Sequence, residues 1–578
     1  MIKDQKIAIV GTAKANLIAF TTAEQLSARI FNREMALPLI LILALVLRWY
    51  YALFLVGSID TEGIEYARIA ENLLAGHGYV GIATPGKELM FPPLFSLLIA
   101  AATLVTHQSE IAGRAISIIM GTLLVIPVYL IADRMYGRRN AQVAGVLVAA
   151  HPTLINMSAS VYCESTYFTL IMSGVYFAVC CTTLSRRWCF AGCGATLGLA
   201  YLVRPEAAAY PVLFILLMVW TARPADRERR WRVLKGLLLL MGTFAVIAAP
   251  YIVWLSVQVG EPRVEGKGAM NYAIAEAVAD GQTEEAAMYG IGPDLQGRGV
   301  WMRSNLDVIH SVKYNPINFL KIAKVDTIKN LSTAISDITD GAFLGSPPLW
   351  VLVILGLLGR SWSRNAQTTQ PYLLIVIGIP LLASVTISHL QLQSRYFLLL
   401  LPVMIIWAAK GLSHLALWVE TMLRIQGFRV AWSRCIAMSV ASAAVAAVLL
   451  VAVKGIEDDQ FLRAFGRSSL PVKVAGEWLH AFAPGPITVM DASAILAYHA
   501  RASFLVYPET DEATALRYIN AKRVDFLVLQ EKWLPPTPYA RAWLSAGIPS
   551  PNARLVYAVN TSGRGRIVIY QLTARPGG

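Results

Sequence analysis

Phe91-Pro92-Pro93-Leu94-Phe95-Ser96-Leu97-Leu98-Ile99-Ala100-Ala101-Ala102-Thr103-Leu104-Val105-Thr106 is the run on which the topology of this chain turns. It is apolar, opens on a proline pair and follows a polar stretch, so it reads either as a membrane crossing or as a helix along the membrane surface. The basic residues between the other apolar runs decide, because Lys and Arg accumulate in cytoplasmic links. If the run crossed, Arg134, Arg138 and Arg139 and the cluster Arg223, Arg227, Arg229, Arg230 and Arg232 would fall outside for a cytoplasmic N-terminus. If it lies on the surface they fall inside, as do Arg186/Arg187, Arg360/Arg364 and the stretch with Lys410, Arg424, Arg429 and Arg434. With the N-terminal segment, which carries Lys3, Lys6, Lys14, Arg29 and Arg33, six stretches then agree.

Around this run the expected crossings are 37–57, 112–133, 140–158, 162–183, 189–203, 207–222, 234–257, 348–360, 371–388, 396–410 and 435–454. They run from 13 to 24 residues, around the length of about 20 apolar residues that a helix needs to cross the hydrocarbon core. The composition agrees: 56% of the 578 residues are hydrophobic and 15% charged, against about a quarter charged in soluble domains, and mean hydropathy is +0.54. The expected fold is an α-helical polytopic membrane protein of about eleven transmembrane helices, not a barrel, whose strands would read as short alternating segments. The net charge of +14 sits in the links between apolar runs, as a topology signal and not as a nucleic-acid footprint. Cys163, Cys180, Cys181, Cys189 and Cys193 lie in or beside apolar helices and Cys435 opens another, with no disulfide framework or metal-ligand spacing.

Residues 1–36 read as a cytoplasmic lead-in, 37–455 as the membrane domain and 456–578 as a small extracytoplasmic α/β domain. In the last, strand-like runs at Ile487–Met490, Phe504–Tyr507, Phe526–Leu529, Leu555–Ala558 and Ile567–Gln571 alternate in part with helical stretches at 471–483 and 511–521. The outer segments are the loop 58–111, the start of the span at Glu164, the loop 258–347 and the turn near His389 to Arg395. Chemistry is expected there.

The first loop reads Asp60-Thr61-Glu62-Gly63-Ile64-Glu65-Tyr66-Ala67-Arg68-Ile69-Ala70-Glu71-Asn72-Leu73-Leu74-Ala75-Gly76-His77-Gly78-Tyr79. Tyr66, Ile69, Ala70, Leu73 and Leu74 recur at helical spacing and Gly76 ends the helix. Glu62 falls on the apolar stripe, and Glu65 shares the polar face with Arg68 and Asn72. The plainer account is that Asp60 or Thr61 caps the helix, Glu62 complements its dipole and Glu65 pairs with Arg68. Pro85-Gly86-Lys87-Glu88-Leu89-Met90 then leads into the opening run.

This loop, followed by F-P-P-L-F-S-L-L-I-A, resembles bacterial members of glycosyltransferase family 39 in the GT-C superfamily, and in layout is similar to protein O-mannosyltransferases and the lipid A aminoarabinose transferase. The family pattern has an acid four positions before a tyrosine, then a proline pair; Glu62, Tyr66, Pro92 and Pro93 occupy those places. Asp is the commoner acid there, and Asp60 stands two residues earlier, so both carboxylates are candidates. Val161-Tyr162-Cys163-Glu164 resembles the family's acid at the outer start of a span, Val203-Arg204-Pro205-Glu206 its T-R-P-E turn, and Arg395-Tyr396 with Pro402 its late R-Y-x-x-P segment, although here the proline comes later. Each also has an ordinary reading: a helix N-terminal carboxylate, an interfacial Arg/Glu pair and an interfacial anchor pair.

The resemblance implies transfer of a sugar from a polyprenyl-phosphate donor to an extracytoplasmic lipid, glycan or protein acceptor, at the outer face of a bacterial cytoplasmic membrane. Glu62 or Asp60 acts as general base, with Glu164 nearby; Arg395, Arg204, Lys87 and Tyr396 hold the donor phosphate; Glu65, Tyr66, His77, Glu206 and His389 line the pocket. A divalent cation (Mg, Mn or Zn) on Asp60, Glu62 and Glu164 is the alternative charge stabiliser. The competing function is a lipid-linked sugar flippase or transporter, against which stand the absence of an internal repeat and the clustering of charge at outer helix ends.

Overall fold

The computed structural model describes residues 35–222, 227–315, 317, 322, 346–359, 363–387, 397–458, 469–535, 537–562 and 564–573. His389, Arg395 and Tyr396 lie outside the described residues.

Among the described residues, seven helices are long and apolar enough to cross a membrane: Ala36–Phe54, Ser109–Tyr136, Glu164–Leu184, Pro205–Ala222, Arg230–Val259, Leu400–Ile425 and Val430–Ile456. Several expected spans differ in extent. The span at 189–203 is the 15-residue helix Arg187–Tyr201, and that at 348–360 the 12-residue helix Pro347–Leu358. The span at 371–388 begins earlier, as Arg364–Ile387 with Pro371 and Pro380 inside it, while the one at 396–410 runs past Lys410 to Ile425. Hydropathy marks apolar runs but not where proline and glycine interrupt a helix.

In Ala36–Phe54 every fourth residue, Ala36, Ile40, Ala44, Arg48 and Ala52, is buried. That spacing makes one stripe on a helix, and Ile42, Val46 and Leu53 on the other faces are exposed apolar side chains that lipid covers. The arginine in the stripe has a specific cause. The expected span 140–158 is two helices, Arg138–Ala150 and Pro152–Ala159, broken at His151. Pro152 has no N–H for the Val148 carbonyl one turn back, and Arg48 supplies the donor instead, from Nη2 to Val148 at 3.1 Å and from Nη1 to Ala149 at 3.1 Å. Arg48→Met takes that donor from two carbonyls far from water, at about 1–3 kcal/mol for each group left unsatisfied. A drop of several degrees in the detergent melting temperature is expected, and an unchanged melt would show that the break needs no cap.

Close helix crossings use small residues. A Cβ on Gly411 would stand 1.8 Å from the Leu352 carbonyl oxygen, and one on Gly356 2.0 Å from that of Trp407, so Pro347–Leu358 and Leu400–Ile425 meet backbone to backbone.

The first outer segment is the helix Thr61–Leu74, closed by Gly76 at φ +77°, a left-handed position that glycine adopts without a Cβ clash. The chain then folds back through residues 77–92 to Pro93–Thr106, whose 14 residues rise about 21 Å, short of a hydrocarbon core of about 30 Å.

The C-terminal residues form one sheet of order β2-β1-β3-β5-β4, from β1 (Thr488–Asp491), β2 (Ser503–Val506), β3 (Phe526–Gln530), β4 (Ala553–Thr561) and β5 (Gly565–Leu572). β1 runs parallel to β2 and β3, and β5 antiparallel to β3 and β4. All five strands overlap the expected runs; the helices Ile495–His499 and Pro538–Ala546 are additional. This α/β unit is clasped to the first outer segment. Lys473 pairs with Glu110 at 3.0 Å, His499 Nε2 and the Ser58 hydroxyl lie 2.8 Å apart, and the Tyr498 hydroxyl donates to Glu71 at 3.2 Å. Burial pushes His499 down to about 4, so its ring is neutral at pH 7. The Glu509 N–H, bonded to the Tyr289 carbonyl at 2.9 Å, ties the unit to the 258–347 segment as well.

Candidate active site

Three of the four family-like segments meet in one pocket. Glu62 and Tyr66 from Thr61–Leu74, Met90, Phe91 and Pro92, Cys163, and Val203, Arg204, Pro205 and Glu206 line it together with Lys267, around a cavity of about 10 Å³, room for about one water molecule. The fourth segment lies outside the described residues.

The helix bearing Glu62 starts at Asp60, whose extended backbone (φ −109°, ψ 175°) suits an N-cap but whose side chain does not cap. That carboxylate, 6% exposed, accepts instead from the Tyr162 hydroxyl at 3.1 Å. Glu62, two residues on, is half-buried and faces the pocket. The two candidate bases are thus in different settings: Asp60 is bonded into the packing behind the pocket and Glu62 is on its wall.

Arg204 is the charge centre. Its Nη1 reaches Glu164 at 3.3 Å and Nη2 reaches Glu206 at 3.4 Å, and the guanidinium lies 5.5 Å from the Tyr167 ring centroid. Glu164 is wholly buried, so an isolated carboxylate there would be costly and the arginine offsets that cost. Lys267, opening the helix Lys267–Ala279, brings a second cation to the pocket. It does so because Gly266 packs on Leu89: a Cβ at Gly266 would lie 2.2 Å from the Leu89 carbonyl oxygen. The Gly266-Lys267-Gly268 triplet was the signal available in the sequence.

Of the other expected pocket residues, Tyr66 lines the pocket and Glu65, His77 and Lys87 stand elsewhere. The Tyr66 hydroxyl donates to the Cys163 sulfur at 3.2 Å, and its ring meets Phe91 and Phe95 edge-on, so Tyr66 is a packed wall. Glu65 is not on a solvated face and does not pair with Arg68. It is 3% exposed and accepts from the Ile82 and Ala83 N–H groups, while Arg68 pairs with Glu71 at 3.6 Å and lies over the Tyr498 ring. A periodicity argument places a residue on a face but does not see the chain folding back over that face. His77 is exposed at the tip of the loop. Lys87 is exposed, donates to Gln258 at 2.5 Å and is not on the pocket wall.

The C-terminal unit also reaches the site. Arg564 is 2% exposed and stacks 4.4 Å from the Trp533 ring centroid. Burial lowers its affinity for its proton, while the charges of Asp60 and Asp491 raise it, which places the guanidinium near Asp60. Asp491, buried and bonded to Gln530 at 2.9 Å, is pushed up to about 7 by burial.

Among the described residues no group of three His, Cys, Asp or Glu side chains is arranged to hold an ion; Glu164 faces the Arg204 guanidinium and Asp60 a phenol hydroxyl.

Residues 91–254 match the family described as dolichyl-phosphate-mannose-protein mannosyltransferase. The archaeal oligosaccharyltransferase AglB from Archaeoglobus fulgidus, solved with an inhibitory peptide and a dolichol-phosphate, superposes with a TM-score of 0.57 at 14% identity, over 93% of this chain and 74% of that one. ArnT from Cupriavidus metallidurans, solved with undecaprenyl phosphate, superposes with a TM-score of 0.52 at 16% identity, over 92% and 97%. A further AglB structure, TM-score 0.52 at 14% identity and covering 93% and 73%, contains Zn and sulfate. Among curated proteins no sequence matches. At these identities the likenesses show a shared fold.

Proposed function

We propose, from the premise that this chain has the GT-C glycosyltransferase fold, that it transfers a sugar from a polyprenyl-phosphate donor to an acceptor hydroxyl on the outer side of a bacterial cytoplasmic membrane. The observation that carries the reading is the pocket where Glu62 faces the two cations Arg204 and Lys267, all on segments that the basic links assign to the outer side. The lipid phosphates in the ArnT and AglB structures support a donor of this class.

In the proposed reaction Glu62 takes the proton of the acceptor hydroxyl as its oxygen attacks the anomeric carbon. The bond from that carbon to the phosphate oxygen breaks, and the electron pair leaves with the lipid phosphate. Arg204 and Lys267 stabilise the charge on that leaving group, as prearranged donors do for any developing anion; the guanidinium fork also matches phosphate oxygens. Asp60, bonded to Tyr162, holds the start of the helix on which Glu62 stands.

The test supplies radiolabelled polyprenyl-phosphate sugars to membranes containing the wild-type chain, Glu62→Gln or Asp60→Asn. Transfer by the wild type, lost in Glu62→Gln, is expected. Transfer undiminished in both variants would remove the base assignment, and a wild type inert with every donor and acceptor tried would favour transport of the lipid-linked sugar.

A further inference from the structure

We propose that the open groove between the first outer segment and the helix Asn305–Ser311 binds a neutral, hydroxyl-rich saccharide, and that this saccharide is the acceptor. The acceptor half rests on the function proposed above; saccharide binding itself does not.

The groove has a volume of about 600 Å³ and is lined by Pro85 from the first outer segment and by Gln296, Arg303, Asp307, His310 and Ser311 from the 258–347 segment. That volume lies within the range of about 300–1,000 Å³ that small-molecule sites occupy. It shares no described residue with the cavity at Glu62.

Hydrogen bonds and close packing hold its shape. Ser304, also on its wall, caps the helix Asn305–Ser311, its hydroxyl accepting from the Asp307 N–H at 3.1 Å. Wholly buried Asn305 reaches the Lys87 carbonyl at 3.5 Å, so the helix rests on the first outer segment. His310 donates from Nε2 to the Val259 carbonyl at 2.6 Å, which ties the helix to the end of a membrane crossing. Arg303 is fixed by the Asp307 carbonyl at 2.9 Å and the Ser311 hydroxyl at 3.4 Å. A Cβ on Gly297 would stand 2.2 Å from the Met302 carbonyl oxygen, and Met302 in turn packs on the apolar core of the C-terminal unit. Three separate parts of the chain therefore shape this wall.

Its chemistry selects the ligand. Among the described lining residues the fixed charges are one guanidinium, Arg303, and one carboxylate, Asp307. A phosphorylated or acidic ligand would meet that carboxylate, while Arg303 already spends donors on its own neighbours. Lipid tails and apolar peptide side chains need an apolar slot, and only Pro85 and Met302 among these side chains are apolar. A hydroxyl both donates and accepts, so a row of sugar hydroxyls serves the carboxylate, the guanidinium, the Gln296 amide and the serines together.

The groove also lies beside the candidate active site. From Pro85 the chain reaches Met90 on the pocket wall in five residues, about 17 Å at full extension. The same stretch carries the helices behind both: a Cβ on Gly266, next to Lys267, would lie 2.2 Å from the Leu89 carbonyl oxygen and 3.5 Å from Ile309. A short oligosaccharide in the groove thus directs one end toward Glu62.

The experiment measures retention of neutral oligosaccharides, phosphorylated oligosaccharides and polar peptides on an array by the purified full-length chain, without donor and in a detergent that has no sugar headgroup. The wild type retains neutral oligosaccharides, and Asp307→Ala weakens that retention about tenfold, the effect of losing one hydrogen bond to a charged group. Retention of phosphorylated glycans or peptides alone, no retention of any saccharide, or equal retention by wild type and Asp307→Ala would overturn the site. If Asp307→Ala does not fold, Gln296→Ala, at an exposed position, decides in the same way. For the acceptor half, the retained oligosaccharide is offered with a polyprenyl-phosphate sugar, and Asp307→Ala raises the acceptor KM about tenfold while the donor KM stays. Transfer to other acceptors but not to the retained oligosaccharide would overturn the acceptor half and leave the proposed function standing. A chain that retains the oligosaccharide but is inert with every donor would overturn the proposed function, and the acceptor half with it, while saccharide binding stands.

Discussion

Glu62→Gln is expected to lower kcat/KM for transfer from a polyprenyl-phosphate sugar by about 10²–10⁴, the range that positioned proton transfer supplies. The amide keeps the size of the side chain, so the half-buried position beside Tyr66, Phe91 and Cys163 is still filled and the melting temperature stays near that of the wild type. Only the ability to take the acceptor proton goes. Asp60→Asn is expected to lose less, because Asp60 is bonded to Tyr162 and not on the pocket wall. Kinetics of both variants with one donor decide the ranking. A larger loss in Asp60→Asn would exchange the roles of the two acids.

Arg204→Ala has the largest expected effect on the protein as a whole. It removes the guanidinium from a wholly buried Glu164 and from Glu206. Breaking a buried pair from one side costs about 3–5 kcal/mol, because the remaining charge keeps its desolvation penalty. On the proposed mechanism transfer falls with it, since Arg204 is the cation assigned there to the leaving phosphate. The two effects separate in Arg204→Ala/Glu164→Gln, which removes the stranded charge: melting temperature recovers and transfer does not. Recovery of both would reduce Arg204 to a structural partner of Glu164. Arg204→Lys keeps one charge but not a fork that can reach Glu164 and Glu206 together, so partial recovery of stability is expected with weaker transfer.

Much of the site was legible in short motifs, for a local reason. The acid, tyrosine and proline pair at Glu62, Tyr66, Pro92 and Pro93, the acid at Glu164 and the Arg204-Pro205-Glu206 turn are each set by a few adjacent residues that start or end a helix, and those positions can be read one at a time. What escaped were partnerships over long separations. Arg48 serves a break 100 residues away, Lys267 joins through a glycine packed on Leu89, and Arg564 arrives from a β-hairpin near the C-terminus. Glu65 was placed on a solvated face because helical periodicity carries no information about residues 79–92 folding over it. The crossing expected at 140–158 was misjudged because Pro152 breaks that apolar run into two helices, and the one expected at 371–388 starts earlier, at Arg364, with Pro371 and Pro380 inside a single helix.

The linear order of residues by itself determined the solvent of this protein, the strand pattern of its C-terminal unit and the helix on which the first-loop acids stand. Apolar length, alternation and chain punctuation are properties of consecutive residues, and the hydrophobic effect acts on them wherever the rest of the chain goes. Only the tertiary structure decided which carboxylate faces the pocket, which is bonded to Tyr162 and which is covered by the chain folding back over it. Those outcomes depend on burial and on partners brought together by folding, and a charged group's behaviour is set by the few ångströms around it.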